Sequence, residues 1–281
     1  MRLSFEFFPP RTQKGEQSLG NVATKLNDFN PEFFSCTYGA GGSTRLGTQE
    51  VVAHLGALGM SCAPHLSIGN DTQTEINQLL DAYATQGVNR IVALRGDLPS
   101  GMARSLAVNN AEALVGWIRK HSGDRFHLEV AAYPEVHPDA RSPAEDLDFF
   151  KRKVDAGADS ALTQYFYNVQ AYFDFVNRCE QANLRIPIIP GIMPLTNYEG
   201  IVRFSQNCGA DIPRWIAKQL EVLSDDEKSL REFGIDVVTQ LCEELLAARV
   251  PGLHFYTMNR WGVSSKICRN LGLGNLDHPD P

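Results

Sequence analysis

The chain has 281 residues, which fits one large domain or two small ones and is long enough to bury a core without disulfides or metals. Its 26 Lys and Arg against 33 Asp and Glu leave a net charge of −7, and no basic run offsets it, which argues against nucleic acid or an anionic membrane as partner. With 43% hydrophobic and 21% charged residues it reads as globular rather than disordered or fibrous. The cysteines at 36, 62, 179, 208, 242 and 268 include no CxxC pair, so a zinc ribbon or redox dithiol is not expected. An acid at position 6 spoils any signal-peptide core, and no apolar run approaches the roughly 20 residues of a membrane span. The expectation is a soluble, cytoplasmic protein.

Short β-prone apolar runs recur along the chain at Leu3–Phe7, Phe33–Thr37, Cys62–Leu66, Arg90–Leu94, Leu128–Ala132, Ala161–Tyr165, Ile186–Ile189 and Leu253–Tyr256. Most begin about 30 residues apart, the length of one βα unit. The segments between them carry helix signals. Asp71-Thr72 followed by Glu75 is a capped start, and Ser142-Pro143 with Glu145 is another. Ser224-Asp225-Asp226-Glu227 opens a longer helix that helps to fill the wide interval before the last strand. Gly59, Gly87 and Gly157 stand where helices should stop.

Eight alternating units predict a (β/α)₈ TIM barrel, one domain over residues 1–273, with 274–281 as a loose tail. An open doubly wound sheet would need GxGxxG after its first strand; Gly39-Ala40-Gly41-Gly42 lacks that spacing, and no P-loop occurs. In a barrel the site lies at the carboxyl ends of the strands. That rule nominates Glu6, Thr37, Tyr38, His65, the run Arg95-Gly96-Asp97, Tyr133, Glu135, His137, Gln164, Tyr256, Asn259 and Arg260.

Glu6 is the most informative. Strand alternation puts Leu3, Phe5 and Phe7 toward the helices and Ser4 and Glu6 inside the barrel. Burial disfavours a carboxylate, and a protonated carboxyl is what a general acid needs. A structural bridge to an arginine is the plainer alternative. Arg95-Gly96-Asp97 either meets a phosphate or ring edge or closes a loop as an ion pair. The two prolines stiffen Tyr133-Pro134-Glu135-Val136-His137-Pro138, as a ligand-lining loop or as a simple turn. Lys151, Arg152 and Lys153 make a basic cluster that suits either solvent or a diphosphate. His54, His121 and His127 read as surface residues on helices or their edges. No metal motif, GxSxG elbow or strand-end lysine is present, so metal, serine and Schiff-base chemistry are not expected.

Several blocks occur in order: Phe5-Glu6-Phe7-Phe8-Pro9-Pro10-Arg11, Thr37-Tyr38-Gly39-Ala40, Ala63-Pro64-His65-Leu66, Ala93-Leu94-Arg95-Gly96-Asp97-Leu98-Pro99, Ala132 to Pro138, Thr163-Gln164-Tyr165-Phe166, Pro190 to Pro194, and His254 to Arg260. Together they resemble the bacterial-type methylenetetrahydrofolate reductase family across residues 3 to about 273. The match implies the catalytic barrel alone, without the C-terminal regulatory domain of eukaryotic relatives. The resemblance implies an FAD-bearing barrel that reduces 5,10-methylenetetrahydrofolate to 5-methyltetrahydrofolate with NADH or NADPH by ping-pong kinetics, in one-carbon metabolism that serves methionine biosynthesis. It implies Glu6 as general acid and Asp97 as the acid beside flavin and pterin, with Gln164, Phe204 and Arg260 on the folate. The implied flavin contacts are Thr37, Tyr38, Ala40, His65, Arg95, Gly96, Asp97, Tyr133, His137, Ala140, Asp146, Arg152 and Lys153. It also implies a homo-oligomer. Two positions depart from some relatives: Gly200 stands where they have glutamine, and residues 100–110 lack a tyrosine. A proline-dehydrogenase-like flavin barrel, a non-catalytic folate or flavin binder, and a cofactor-free lyase remain the rival readings.

Overall fold

The computed structural model describes residues 1–38, 45–69, 71–95 and 110–274. The strands are β1 (Arg2–Phe7), β2 (Phe33–Cys36), β3 (Cys62–Leu66), β4 (Arg90–Ala93), β5 (His127–Ala132), β6 (Ser160–Thr163), β7 (Ile188–Ile189), β8 (Gly191–Ile192) and β9 (Gly252–Tyr256). Every pairing is parallel, in the order β7-β6-β5-β4-β3-β2-β1-β9-β8. The two ends of that order, β7 and β8, are halves of one stave separated by Pro190. The sheet therefore curls into a barrel of eight staves.

The single seventh strand expected at 186–189 is instead split and shifted. Pro187 and Pro190 each lack a main-chain N–H, so neither can donate to the ladder. Pro190 still contributes its carbonyl, which accepts from His254 N at 3.0 Å. Three other strands end earlier than their sequences suggest, at Cys36, Ala93 and Thr163. Thr37, Leu94 and Gln164 each keep one last main-chain bond to the neighbouring stave, to Phe7, Leu66 and Ala132, before the chain turns out of the sheet.

The helices are α1 (Gln13–Asn27), α2 (Arg45–Ala57), α3 (Gln73–Thr85), α4 (Ala111–Ser122), α5 (Pro143–Asp155), α6 (Val169–Gln181), α7 (Tyr198–Cys208), α8 (Arg214–Val222), α9 (Glu227–Ala247) and α10 (Gly262–Asn270). The expected caps are present. Thr72 and Glu75 form a reciprocal capping box on α3, Ser142 caps α5 with Pro143 in its first turn, and Asp226 caps α9. The long interval before the last stave holds α7, α8 and α9. Gly274 is described; the rest of the expected tail, residues 275–281, lies outside the described residues.

Packing divides into two layers. Leu3, Phe5 and Phe7 point outward into the helix-facing core, where Phe5 lies 6.0 Å from the Phe34 ring and 5.7 Å from Phe255. Phe33, Ala63, Val92, Leu162 and Ile189 fill the barrel interior. At the amino-terminal end of the staves the filling turns polar. Arg90 donates to Glu129, and to Glu32 at 2.5 Å, while Ser160 donates to Glu129 at 2.6 Å. His127, read from sequence as a surface residue, begins β5 and reaches Ser160 Oγ at 2.6 Å.

One glycine is fixed by contact. A Cβ on Gly234, in the middle of α9, would stand 2.1 Å from Leu195 O, so this helix rests directly on the main chain that follows β8. Alanine in a free helix interior gains up to about 1 kcal/mol over glycine. Here the clash decides the sign. Gly234→Ala is expected to cost about 1–3 kcal/mol, read as a lowered melting temperature.

Candidate active site

Alternation along β1 carries Glu6 to the carboxyl end of the first stave and turns it into the barrel. Its side chain is 17% exposed, with Oε2 3.3 Å from His65 Nε2 and 3.6 Å from His254 Nε2. The two imidazoles come from β3, two staves away, and from β9, the stave that pairs directly with β1. His254 is fully buried, and its Nδ1 lies 2.8 Å from Ser4 Oγ. Burial lowers the His65 pKa, the Glu6 carboxylate opposes that shift, and His254 adds to it. Burial, together with Glu6, raises the Tyr256 phenol well above its ordinary value. The arginine bridge offered as the plainer reading of Glu6 is absent among the described residues: the ion-pair partners of Glu6 are two histidines.

The ends of β1 and β9 are held by side chains that imitate a strand. Thr257 Oγ1 donates to Glu6 O at 2.6 Å. The Asn259 carboxamide takes both main-chain groups of Phe8, accepting from its N at 3.0 Å and donating to its O at 2.8 Å. Met258 and Asn259 adopt φ of 53° and 55°, a left-handed turn that lets the chain double back after Thr257. Exposed Arg260 follows immediately.

A second group gathers at the ends of β4 to β6. His137 N donates to Asp146 Oδ2 at 3.2 Å, and Tyr133 meets the His137 ring edge-on at 4.5 Å. Lys153 Nζ donates to Ala131 O at 2.5 Å. Burial pushes Lys153 down to about 8, opposed by the Asp146 carboxylate and helped by Arg95. Burial raises Asp146 against the His137 N–H and the Lys153 charge, and burial followed by Arg95 lowers His137. Arg95 meets Asp139 at 2.8 Å, beside Ala140 at the end of the same loop. Gln164 stands where the sixth stave ends, and Phe204 is exposed on α7. Arg152, by contrast, is ion-paired to Glu112 at 3.1 Å and to Asp148 at 2.9 Å, away from the Glu6 cluster. Tyr38 is half-buried just past β2; Ala40, Gly96 and Asp97 lie outside the described residues.

The buried polar atoms without a hydrogen-bond partner among the described residues include Thr37 Oγ1, His65 Nε2 and His254 Nε2, the two imidazole nitrogens lying close to Glu6 but outside bonding geometry. Together with Lys153 and Arg95 of the second group, these polar atoms suit a ligand rich in acceptor atoms and negative charge. Among the described residues no three His, Cys, Asp or Glu side chains are grouped to hold a metal ion, and no helix is long and apolar enough to cross a membrane. His254 is not among the residues that the strand-end rule nominates. Its signal is alternation again, since Leu253 and Phe255 face the helices and Gly252, His254 and Tyr256 must face inward.

A family model described as methylenetetrahydrofolate reductase matches residues 1–272. The 5,10-methylenetetrahydrofolate reductases of Salmonella typhimurium and Escherichia coli are each 39% identical over 274 residues, which is 97% of this chain and 91% of theirs. The chain belongs to the methylenetetrahydrofolate reductase family. It therefore falls in a family of oxidoreductases. Methylenetetrahydrofolate reductase (NADH) 1 of Arabidopsis thaliana is 37% identical over 284 residues, 96% of this chain but 48% of the plant protein. An uncharacterized protein from Clostridium thermocellum that binds two copies of 5-methyl-5,6,7,8-tetrahydrofolic acid superposes with a TM-score of 0.65 over 95% of this chain and 93% of that one. At 18% identity that likeness speaks for the barrel alone.

Proposed function

We propose that the protein reduces 5,10-methylenetetrahydrofolate to 5-methyltetrahydrofolate with NADH or NADPH, holding FAD at the carboxyl end of the barrel. The observation that carries the reading is the Glu6 carboxyl, turned into the barrel beside two buried histidines in a chain of this family. The unpaired donors Thr37 and His65, with Lys153 and Arg95, fit the acceptor-rich ring edge and phosphates of FAD. When bound, FAD supplies the ring that takes reducing equivalents from the nicotinamide and passes them to the one-carbon unit of the folate.

The reaction consumes one proton, because methylenetetrahydrofolate, NAD(P)H and H⁺ give methyltetrahydrofolate and NAD(P)⁺. Glu6 supplies it. The methylene carbon bridges two nitrogens, and protonating one of them breaks its bond to that carbon and leaves an electrophilic iminium. Asp97 holds negative charge near that cation and accepts hydrogen bonds from the pterin. Gln164 and Arg260 orient the folate, and Phe204 packs on it from α7. Met258 and Asn259, in their left-handed turn, set where Arg260 leaves the barrel.

The deciding experiment is a visible spectrum. The purified protein reconstituted with FAD is expected to show flavin absorbance that bleaches with NADH or NADPH under anaerobic conditions and returns on adding methylenetetrahydrofolate. A protein that takes up no FAD, or whose reduced flavin is reoxidised by a proline-derived imine but not by the folate, defeats the proposal.

A further inference from the structure

Glu135 is a half-buried carboxyl that the mechanism above does not use. It sits in the rigid loop after β5 and binds a segment 76 residues away: its Oε2 accepts from Asp211 N at 2.8 Å, in the turn between α7 and α8. The same turn is fitted to the same loop by shape. Gly209 ends α7 in the left-handed region with φ 75°, and a Cβ there would stand 3.0 Å from Pro138 Cγ. The loop itself is bent tightly, with Val136 at φ 71°, a conformation costly for a β-branched residue and kept here where the loop meets α7. One turn back along α7, Ser205 Oγ lies 3.0 Å from Tyr165 OH, next to Gln164. Exposed Phe204 directly precedes this buried serine on α7.

We propose that Glu135 is a positioning residue for the folate: its carboxylate latches the end of α7 to the loop after β5 and thereby sets where Phe204 stands over the site. The inference rests on the functional reading above, since it assigns Phe204 to the folate.

The latch responds to pH in the neutral range. Burial pushes the Glu135 carboxyl up to about 7, the Asp211 N–H opposes this, and the Asp211 carboxylate adds to it. The groups facing it are Asp211 from the turn, Cys208 from the end of α7, Tyr165 from the segment after β6, and Tyr133 from its own loop. Burial raises the Tyr165 phenol, so it stays neutral when Glu135 titrates. An ionised carboxylate accepts a stronger hydrogen bond than a protonated one. The latch therefore grips above about pH 7 and slackens below it.

The test uses the FAD-loaded protein and 5-methyltetrahydrofolate as probe, with binding measured calorimetrically between about pH 6 and about pH 8. The parent is expected to bind about three- to tenfold more tightly at the upper end, the worth of one hydrogen bond strengthened. Glu135→Gln, neutral throughout, is expected to lose that dependence. Asp211→Asn removes the opposing charge, so its midpoint is expected at lower pH. The rate of flavin reduction by nicotinamide, which needs no folate, is expected to change less than folate binding does in both variants. The latch is overturned if Glu135→Gln keeps the parental pH dependence, if Asp211→Asn leaves the midpoint unmoved, or if the nicotinamide step falls as far as folate binding. A parent that neither binds nor reduces folate overturns the functional reading instead, and the latch falls with it.

Discussion

Glu6→Gln is expected to lose folate reduction by about 10²- to 10⁴-fold, the usual worth of a positioned general acid, while the nicotinamide still reduces the flavin at close to the parental rate. Glutamine keeps the size of the side chain and places a neutral polar group in the same interior space, so the fold has no reason to fail. What it lacks is the proton. The nicotinamide step passes reducing equivalents to the ring and asks no acid of the folate site, which is why the two half-reactions should separate. Rapid-mixing absorbance measurements on each half-reaction check this. A variant that is folded yet loses both to the same degree would show that Glu6 serves the flavin pocket and not the folate's nitrogen. A variant that loses neither would move the acid to some other group.

That Glu6 was legible in the sequence follows from period two. Three aromatic or aliphatic neighbours on one face of β1 leave only the interior for the acid, and the structure puts Leu3, Phe5 and Phe7 in the helix-facing core as that parity requires. The barrel was legible for a related reason: each βα unit buries one apolar strand under one amphipathic helix, and both patterns are local. What could not be read locally depends on pairing across the barrel. The seventh stave breaks at Pro190, which has no N–H to give the ladder, but which half bonds to β6 and which to β9 is defined only by the closed sheet. The contact of Glu6 with His254 needs the register Ser4↔His254, set between residues 250 apart. Arg152 carries the same charge in either environment, so nothing in its neighbours along the chain foretold its pairing with Glu112 on α4. The Asn259 clamp on Phe8 likewise exists only once β1 and β9 lie side by side.

The polar plug at the other end of the barrel gives the largest expected effect on stability. Glu129 is fully buried. Burial alone would raise its pKa, but bonds with His127 and Ser160 and the charge of Arg90 outweigh it, and the net shift is downward. Arg90 is itself buried, stacked 4.4 Å from the Phe33 ring centroid, and shared with Glu32. Arg90→Leu is expected to cost about 3–5 kcal/mol, because it strands a buried carboxylate rather than merely deleting a contact. A carboxyl whose folded pKa is depressed contributes stability above its unfolded pKa and loses it as pH falls through the folded one. In the variant the charge that helped to depress Glu129 is gone, so its acid unfolding is expected to begin at higher pH than in the parent. Pairing Arg90→Leu with Glu129→Leu removes both charges and is expected to recover most of the loss, since an apolar pair of similar volume is often as stable as a buried ion pair. Thermal and acid melts of the two variants decide the matter. A single variant within about 1 kcal/mol of the parent would mean that Glu129 is satisfied by His127 and Ser160 alone. Because the plug lies at the amino-terminal end of the staves, the folded fraction of either variant should keep the parental half-reaction rates, which separates a stability role from a catalytic one.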